Sequence, residues 1–197
     1  MRLLFFFLTC FLALCACHIS TNKDSSISSL THTDTGKGVI IENSGGPRGG
    51  PYTDSTGKKF GYSIFWTRVI NETATPLELT INFPADSFKI PPSPDSYLKL
   101  FVPPDDPMTL DKESLYDYGS EFLKSFLDTG LNKPTALQKT INPKEEYFFY
   151  TGALSYKSGG MVRVGLVLKD QELFYRIGII PHFDSALFPC GHIVFKK

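Results

Sequence analysis

The stretch FGYSIFWTRVIN, residues 60–71, decides the fold class. Side chains alternate across a strand, so Tyr62, Ile64, Trp66, Arg68 and Ile70 share one face and Phe65, Thr67 and Val69 the other. One face is apolar apart from Arg68, the pattern of a β-strand with at least one buried side and of Trp66 as a core aromatic. The polar run at 71–76 reads as a turn, after which LELTINF at 77–83 alternates cleanly until Pro84 stops it.

The same pattern recurs on either side. Residues 97–102, 136–141, 147–154, 161–168, 173–180 and 192–195 read as strands, and 39–42 as a candidate first edge strand. A Pro-containing turn at 142–145, a Gly-containing hairpin loop at 157–160 and a polar connection at 169–172 punctuate them. One segment breaks the pattern: Leu115, Tyr118, Phe122, Phe126 and Leu127 recur at three- and four-residue spacing before Gly130, which predicts an amphipathic helix over 111–128. About eight short strands separated by turns predict an all-β antiparallel sandwich. The segments VINETATPLELTINFP (69–84) and INPKEEYFFYTGAL (141–154) resemble pieces of bacterial immunoglobulin-like domains. The resemblance implies an immunoglobulin-like antiparallel β-sandwich of about 7–9 strands with one inserted helix. The immunoglobulin cysteine pair is absent, so the likeness is one of architecture.

The chain opens MRLLFFFLTCFLALCA: one basic residue and then an apolar run from Leu3 to Leu14. Such a run is too short to span a bilayer and suits the hydrophobic region of a signal peptide. Leu14-Cys15-Ala16-Cys17 resembles the lipobox of bacterial lipoproteins, a resemblance that implies cleavage before Cys17 and acylation of its thiol. Cys10 and Cys15 leave with the leader, and the mature chain keeps only Cys17 and Cys190, no framework for disulfide stapling. Several acyl chains on one cysteine would hold a protein stably at a bilayer. The expected organisation is a signal peptide at 1–16, a polar, glycine-rich tether at 17–50 and a β-sandwich domain at 51–197.

Charge narrows the partners. The chain has 20 Lys+Arg and 20 Asp+Glu, and removing Arg2 with the leader leaves one more acid than base. A balance this even gives no general attraction to a phosphate backbone, so nucleic acid is not an expected partner. The lipid bilayer is expected as a partner through acylated Cys17.

Catalytic signatures are missing from the sequence. There is no Gly-x-Ser-x-Gly elbow, no His-Glu-x-x-His, no phosphate-binding loop and no dinucleotide fingerprint, so no cofactor is implied. His182, Cys190 and His192 form the one cluster with metal-ligating chemistry, because imidazole and thiolate suit copper or zinc. Strand alternation over 190–192 would put Cys190 and His192 on one face. Asp105-Asp106, between prolines, reads as a solvated loop pair, and the sequon Asn71-Glu72-Thr73 as a turn. The proline-rich loops at 91–94 and 103–107, with Tyr97, Phe101 and Tyr116 nearby, are the expected partner surface. The sequence therefore points to a membrane-anchored cell-envelope lipoprotein, delivered to the outer membrane if the host is Gram-negative. It would act as a non-enzymatic binding or accessory module for an envelope protein or glycan. The alternative is an envelope metal-binding protein or enzyme centred on His182, Cys190 and His192.

Overall fold

A computed structural model describes residues 32–34, 38–90, 94–103, 107–121 and 123–196. The leader, Cys17, Asp105-Asp106 and Phe122 lie outside the described residues. Among those described, the strands in chain order are β1 His32–Asp34, β2 Val39–Asn43, β3 Arg48–Thr53, β4 Lys59–Asn71, β5 Leu77–Phe83, β6 Phe88–Lys89 and β7 Tyr97–Phe101. After the helix α1, Leu123–Thr129, come β8 Thr135–Ile141, β9 Glu146–Tyr156, β10 Met161–Lys169, β11 Glu172–Ile180 and β12 Phe183–Phe195.

They form two antiparallel sheets. The first runs β1-β2-β4-β9-β7-β6, with β3 on the same edge of β4 as β2 but paired to its first half. The second runs β10-β11-β12-β5-β8. Phe65, Val69, Leu98, Phe149 and Ala153 from the first sheet meet Leu79, Ile81, Leu166, Tyr175, Ile177 and Ile193 from the second in one buried core. The protein is thus an all-β sandwich.

The pleat gives β4 a second duty. Ile64 and Trp66 point away from the sandwich, and with Phe101, Tyr150 and Leu154 they form a separate buried cluster. Met108, Tyr118, Leu123, Phe126 and Leu127 of the segment between β7 and β8 cover it. The molecule is therefore three-layered, with β4 and β9 buried on both faces. Trp66 is a core aromatic, packed 6.1 Å from Phe148. Arg68 escapes this burial cost because β2 and β9 place Glu42 and Glu146 on either side of it, both ion-paired with its guanidinium.

Four expectations need correction. The folded body starts before residue 51: Val39 and Ile41 are buried core residues, and β2 and β3 lie within the stretch read as tether. Few large apolar residues mark that stretch because β3, RGGPYT, lies on the covered edge of β4 with mostly exposed side chains. The helix expected over 111–128 is restricted to Leu123–Thr129, preceded by single 3-10 turns at Leu110–Lys112 and Tyr116–Gly119. Asp117 and Tyr118 adopt left-handed φ of 49° and 52°, which ends any right-handed helix. Tertiary bonds hold Tyr118 there: the Tyr150 hydroxyl donates to the Tyr118 carbonyl and the Tyr118 hydroxyl to the Gly46 carbonyl, each at 2.5 Å. The loop at 157–160 is no hairpin, since β9 and β10 belong to different sheets. The last strand begins at Phe183 and not at residue 192. Pro189 is tolerated there because β5 pairs only with 191–195 and the β11 register shifts beside it.

Two buried asparagines fasten the layers. Asn71 is wholly buried, and its Nδ2 donates to the Thr75 and Ile141 carbonyls at 2.8 and 2.9 Å. Its Oδ1 accepts from the Thr73 amide and hydroxyl at 3.0 and 2.6 Å. The sequon is thus a turn whose asparagine has every side-chain bond engaged. Asn43 on β2 reaches the other sheet, donating to the Leu166 carbonyl at 3.1 Å and accepting the Leu166 N–H at 2.8 Å.

Candidate functional site: an aromatic groove on the outer sheet face

Register places the site. Tyr52 pairs with Phe60 across the β3–β4 hairpin, and Tyr97 with Tyr156 across β7–β9. The β4–β9 pairing then brings the two couples together at one end of the first sheet. The rings of Phe60 and Tyr156 lie 5.6 Å apart, Tyr97 stacks on Tyr156 at 5.1 Å, and Tyr52 sits 6.2 Å from Phe60. All four are partly exposed.

Lys58 organises the rings. Its ammonium lies 4.1, 4.9 and 5.3 Å from the Tyr156, Tyr97 and Phe60 centroids and donates to the Tyr97 hydroxyl at 2.8 Å. That hydrogen bond holds the ammonium above the ordinary lysine range. Lys58 is aimed by the tight hairpin loop before it. There Asp54 Oδ1 accepts from the Thr56 hydroxyl at 2.7 Å and from the Thr56 and Lys58 amides at 2.9 Å each, and Gly57 takes the left-handed φ of 84°. The Thr56 hydroxyl bond holds Asp54 below the usual carboxylate range, so Asp54 is an acceptor and a poor proton donor near neutrality.

Beside the rings lies a cleft of about 580 Å³, floored by Tyr52, Phe60, Tyr97 and Leu154 and walled by Asp54, Thr56, Asp128 and Asn132. Lys99 closes its base. It is only 4% exposed, and its Nζ donates to the Ala85 carbonyl at 2.5 Å and to the Leu131 carbonyl. Burial lowers its pKa. The Tyr52 hydroxyl donates at 3.0 Å to Asp128 Oδ1 or to the Leu127 carbonyl, tying the cleft to α1. A second depression of about 500 Å³ shares Ser87 and Tyr97 with the cleft, and a third of about 390 Å³ shares Tyr52 and Leu127. Together they make an extended groove of aromatic faces with hydrogen-bonding walls.

The expected binding residues divide. Tyr97 is in the groove, and Tyr116, 76% exposed, stands over the third depression. Phe101 is fully buried, stacked on Phe126 at 4.7 Å, and presents nothing to a partner. Tyr52, Lys58, Phe60, Lys99 and Tyr156 are additional. The cross-strand pair Tyr52–Phe60 around the turn signal Asp54-Ser55-Thr56-Gly57 was the readable sign of them.

The expected metal ligands are not brought together. His182 sits in the turn before β12, its Nε2 3.1 Å from the Gly159 carbonyl. Cys190 is buried in the sandwich core, and desolvation pushes its thiol up to about 12. His192 points to solvent. A β-bulge at 189–191 adds a residue to β12, so Cys190 and His192 face opposite ways, against the alternation expected. Among the described residues no group of three or more His, Cys, Asp or Glu side chains converges. Nor, among them, is any helix long and apolar enough to cross a membrane. Comparison with protein-family models, with curated proteins and with solved structures finds no match.

Proposed function

We propose that this chain is a lipid-anchored protein of the bacterial cell envelope that acts as a non-enzymatic binding module, and that its groove engages a glycan. The observation that carries the reading is the cluster of Tyr52, Phe60, Tyr97 and Tyr156 along a cleft walled by Asp54, Asp128 and Asn132. Sugar rings offer apolar C–H faces that pack on aromatic side chains, and hydroxyls that bond to carboxylate and amide groups. Asp54 and Asp128 already accept hydrogen bonds from the Thr56 and Tyr52 hydroxyls, the same chemistry by which the wall would hold sugar hydroxyls. The leader and Leu14-Cys15-Ala16-Cys17 support the anchor, which would keep the groove at an envelope surface where polysaccharide is abundant.

The test is a calorimetric titration of the full chain with chito-, cello- and malto-oligosaccharides. The expected result is saturable binding to at least one, abolished by Tyr97→Ala and by Tyr52→Ala. Binding that survives both substitutions, or no binding to any of the three, overturns the glycan reading. A tight peptide or protein ligand in their place would assign the groove to a protein partner. Mass spectrometry of the mature amino terminus tests the anchor separately: an unmodified Cys17 overturns it.

A further inference from the structure

The third depression has a chemistry of its own. Pro51, Tyr52 and Tyr62 come from β3 and β4, Tyr116 and Asp117 from the 3-10 turn, and Leu123 and Leu127 from α1. Its volume, about 390 Å³, suits a small ligand. Asp117 in its wall is 8% exposed, and its Oδ1 is buried with no hydrogen-bond partner. Its Oδ2 accepts from the Tyr62 hydroxyl at 2.6 Å, and the Tyr62 and Tyr116 hydroxyls are 3.2 Å apart. Because the Tyr62 proton is committed to the carboxylate, the proton between the tyrosines is that of Tyr116. The Tyr116 oxygen therefore presents its lone pairs outward.

Among the described residues no cation is ion-paired with Asp117. Lys124 and Glu121 at the mouth carry opposite charges. A buried carboxyl oxygen with no hydrogen-bond partner is costly to keep, and here it is presented by a left-handed turn that adds strain. An unpartnered acidic oxygen and strain coincide in the wall of a tyrosine-lined pocket. That is the composition that attracts a cation to ring faces.

We propose that this pocket binds a methylated ammonium group. Methylation is favoured over a primary amine because Oδ1 is out of reach, whereas three tyrosine rings, Pro51, Leu123 and Leu127 line the pocket with apolar surface that N-methyl groups can pack against. The site is independent of the glycan reading, although Tyr52 borders both.

The experiment is a titration of the full chain, in a polyoxyethylene detergent free of sugar and choline groups, with choline and with its neutral isostere 3,3-dimethylbutanol. Choline should bind saturably at one equivalent, and the isostere about tenfold more weakly or worse, the factor a desolvated cation–π contact provides. Asp117→Asn should weaken choline by a similar factor, and Tyr116→Ala, at an exposed position that does not threaten folding, by several-fold. Phosphatidylcholine in mixed micelles that competes with choline would assign the group to a lipid headgroup, and failure to compete would assign it to a soluble ligand, both in support of the site. Equal affinity for choline and the isostere overturns the proposal. So does an unchanged affinity in Tyr116→Ala, or the absence of saturable choline binding at tens of millimolar.

Discussion

Replacing Asn43 by alanine should be among the most damaging single changes in the protein, although Asn43 touches no ligand site. Asn43 is 2% exposed and belongs to β2 of the first sheet, yet its amide continues the ladder of β10, the edge strand of the second. Its Nδ2 and Oδ1 satisfy both backbone groups of Leu166, and Oδ1 also accepts from the Thr67 hydroxyl at 3.0 Å. Asn43→Ala leaves a buried N–H and a buried C=O unmet at about 1–3 kcal/mol each. The shortened side chain also opens a small void between the sheets. A loss of about 4 kcal/mol is expected, a large share of the ~5–15 kcal/mol by which domains are stable. For a domain of this size that corresponds to a fall in Tm of about 8–16 °C. Asn43→Asp keeps the shape and the acceptors but removes the donor to Leu166 and buries a charge, so it should cost at least as much. The assay is calorimetric or urea unfolding, with Asn82→Ala on the exposed face of β5 as control, expected within about 0.5 kcal/mol of the parent. If Asn43→Ala lowers stability by no more than the control, the inter-sheet amide is not a fastening, and the argument fails.

Other outcomes follow from the same packing. Gly152→Ala places a Cβ inside the ring of Phe101, so it should cost about 1–3 kcal/mol by urea unfolding and be partly relieved when Phe101→Leu is added. With Cys10, Cys15 and Cys17 changed to serine, Cys190 should react with an aromatic disulfide at pH 8 only after denaturation, because a thiol near 12 is about one part in ten thousand thiolate there. The folded thiol's raised pKa means that it stabilises fully below pH 9, and that this contribution is lost as pH climbs towards 12. A stability that rises over that window would contradict the burial of Cys190 and of Tyr175, whose hydroxyl burial also pushes up. Lys58→Met should leave the melting temperature within a few degrees but weaken groove ligands, since the rings lose the cation that sets their mutual geometry.

The sandwich was legible because alternation is a strong signal wherever a strand has one buried face. Residues 77–83 are such a strand, and their burial alternates along most of their length. The doubly covered β4 was equally legible, since its apolar run is nearly continuous. Strands that bury little were not: β3 consists of Arg48, two glycines, Pro51, Tyr52 and Thr53, and only its pairing with β4 makes it a strand. Tyr52 of that element and the turn at 54–57 after it carry one side of the groove, so that side was hidden with it. Tyr97 and Tyr116 were found because they stand beside proline-rich loops. Phe101 stood there too, but it has the parity of the helix-covered cluster, and a single sequence does not disclose that a third layer covers that face. The 182–192 cluster failed for a smaller reason. One inserted residue at a bulge reverses parity, and nothing local in Pro189-Cys190-Gly191 states that a bulge is there.

The left-handed pair at 117 and 118 offers a test of whether strain in this protein serves structure or binding. Both residues have φ near 50°, where a non-glycine residue costs about 1–2 kcal/mol. Tyr118 is anchored: it is 4% exposed, its hydroxyl bonds to the Gly46 carbonyl, and the Arg48 guanidinium lies 5.4 Å from its ring. Tyr118→Gly relieves the backbone but removes a buried ring, and should cost about 3–5 kcal/mol. Asp117 has no comparable anchor. Asp117→Gly relieves strain of about 1–2 kcal/mol and removes a carboxylate oxygen without a partner, worth about 1–3 kcal/mol, against a charge-assisted bond from Tyr62 of about 1.5–3 kcal/mol and a glycine entropy cost of about 0.5–1 kcal/mol. These terms nearly cancel, so Asp117→Gly should leave stability within about 1 kcal/mol of the parent while weakening choline binding about tenfold or more. Parallel urea unfolding of the two variants decides it. If Asp117→Gly loses as much stability as Tyr118→Gly, Asp117 is a structural pin, and its buried carboxylate needs no ligand to account for it.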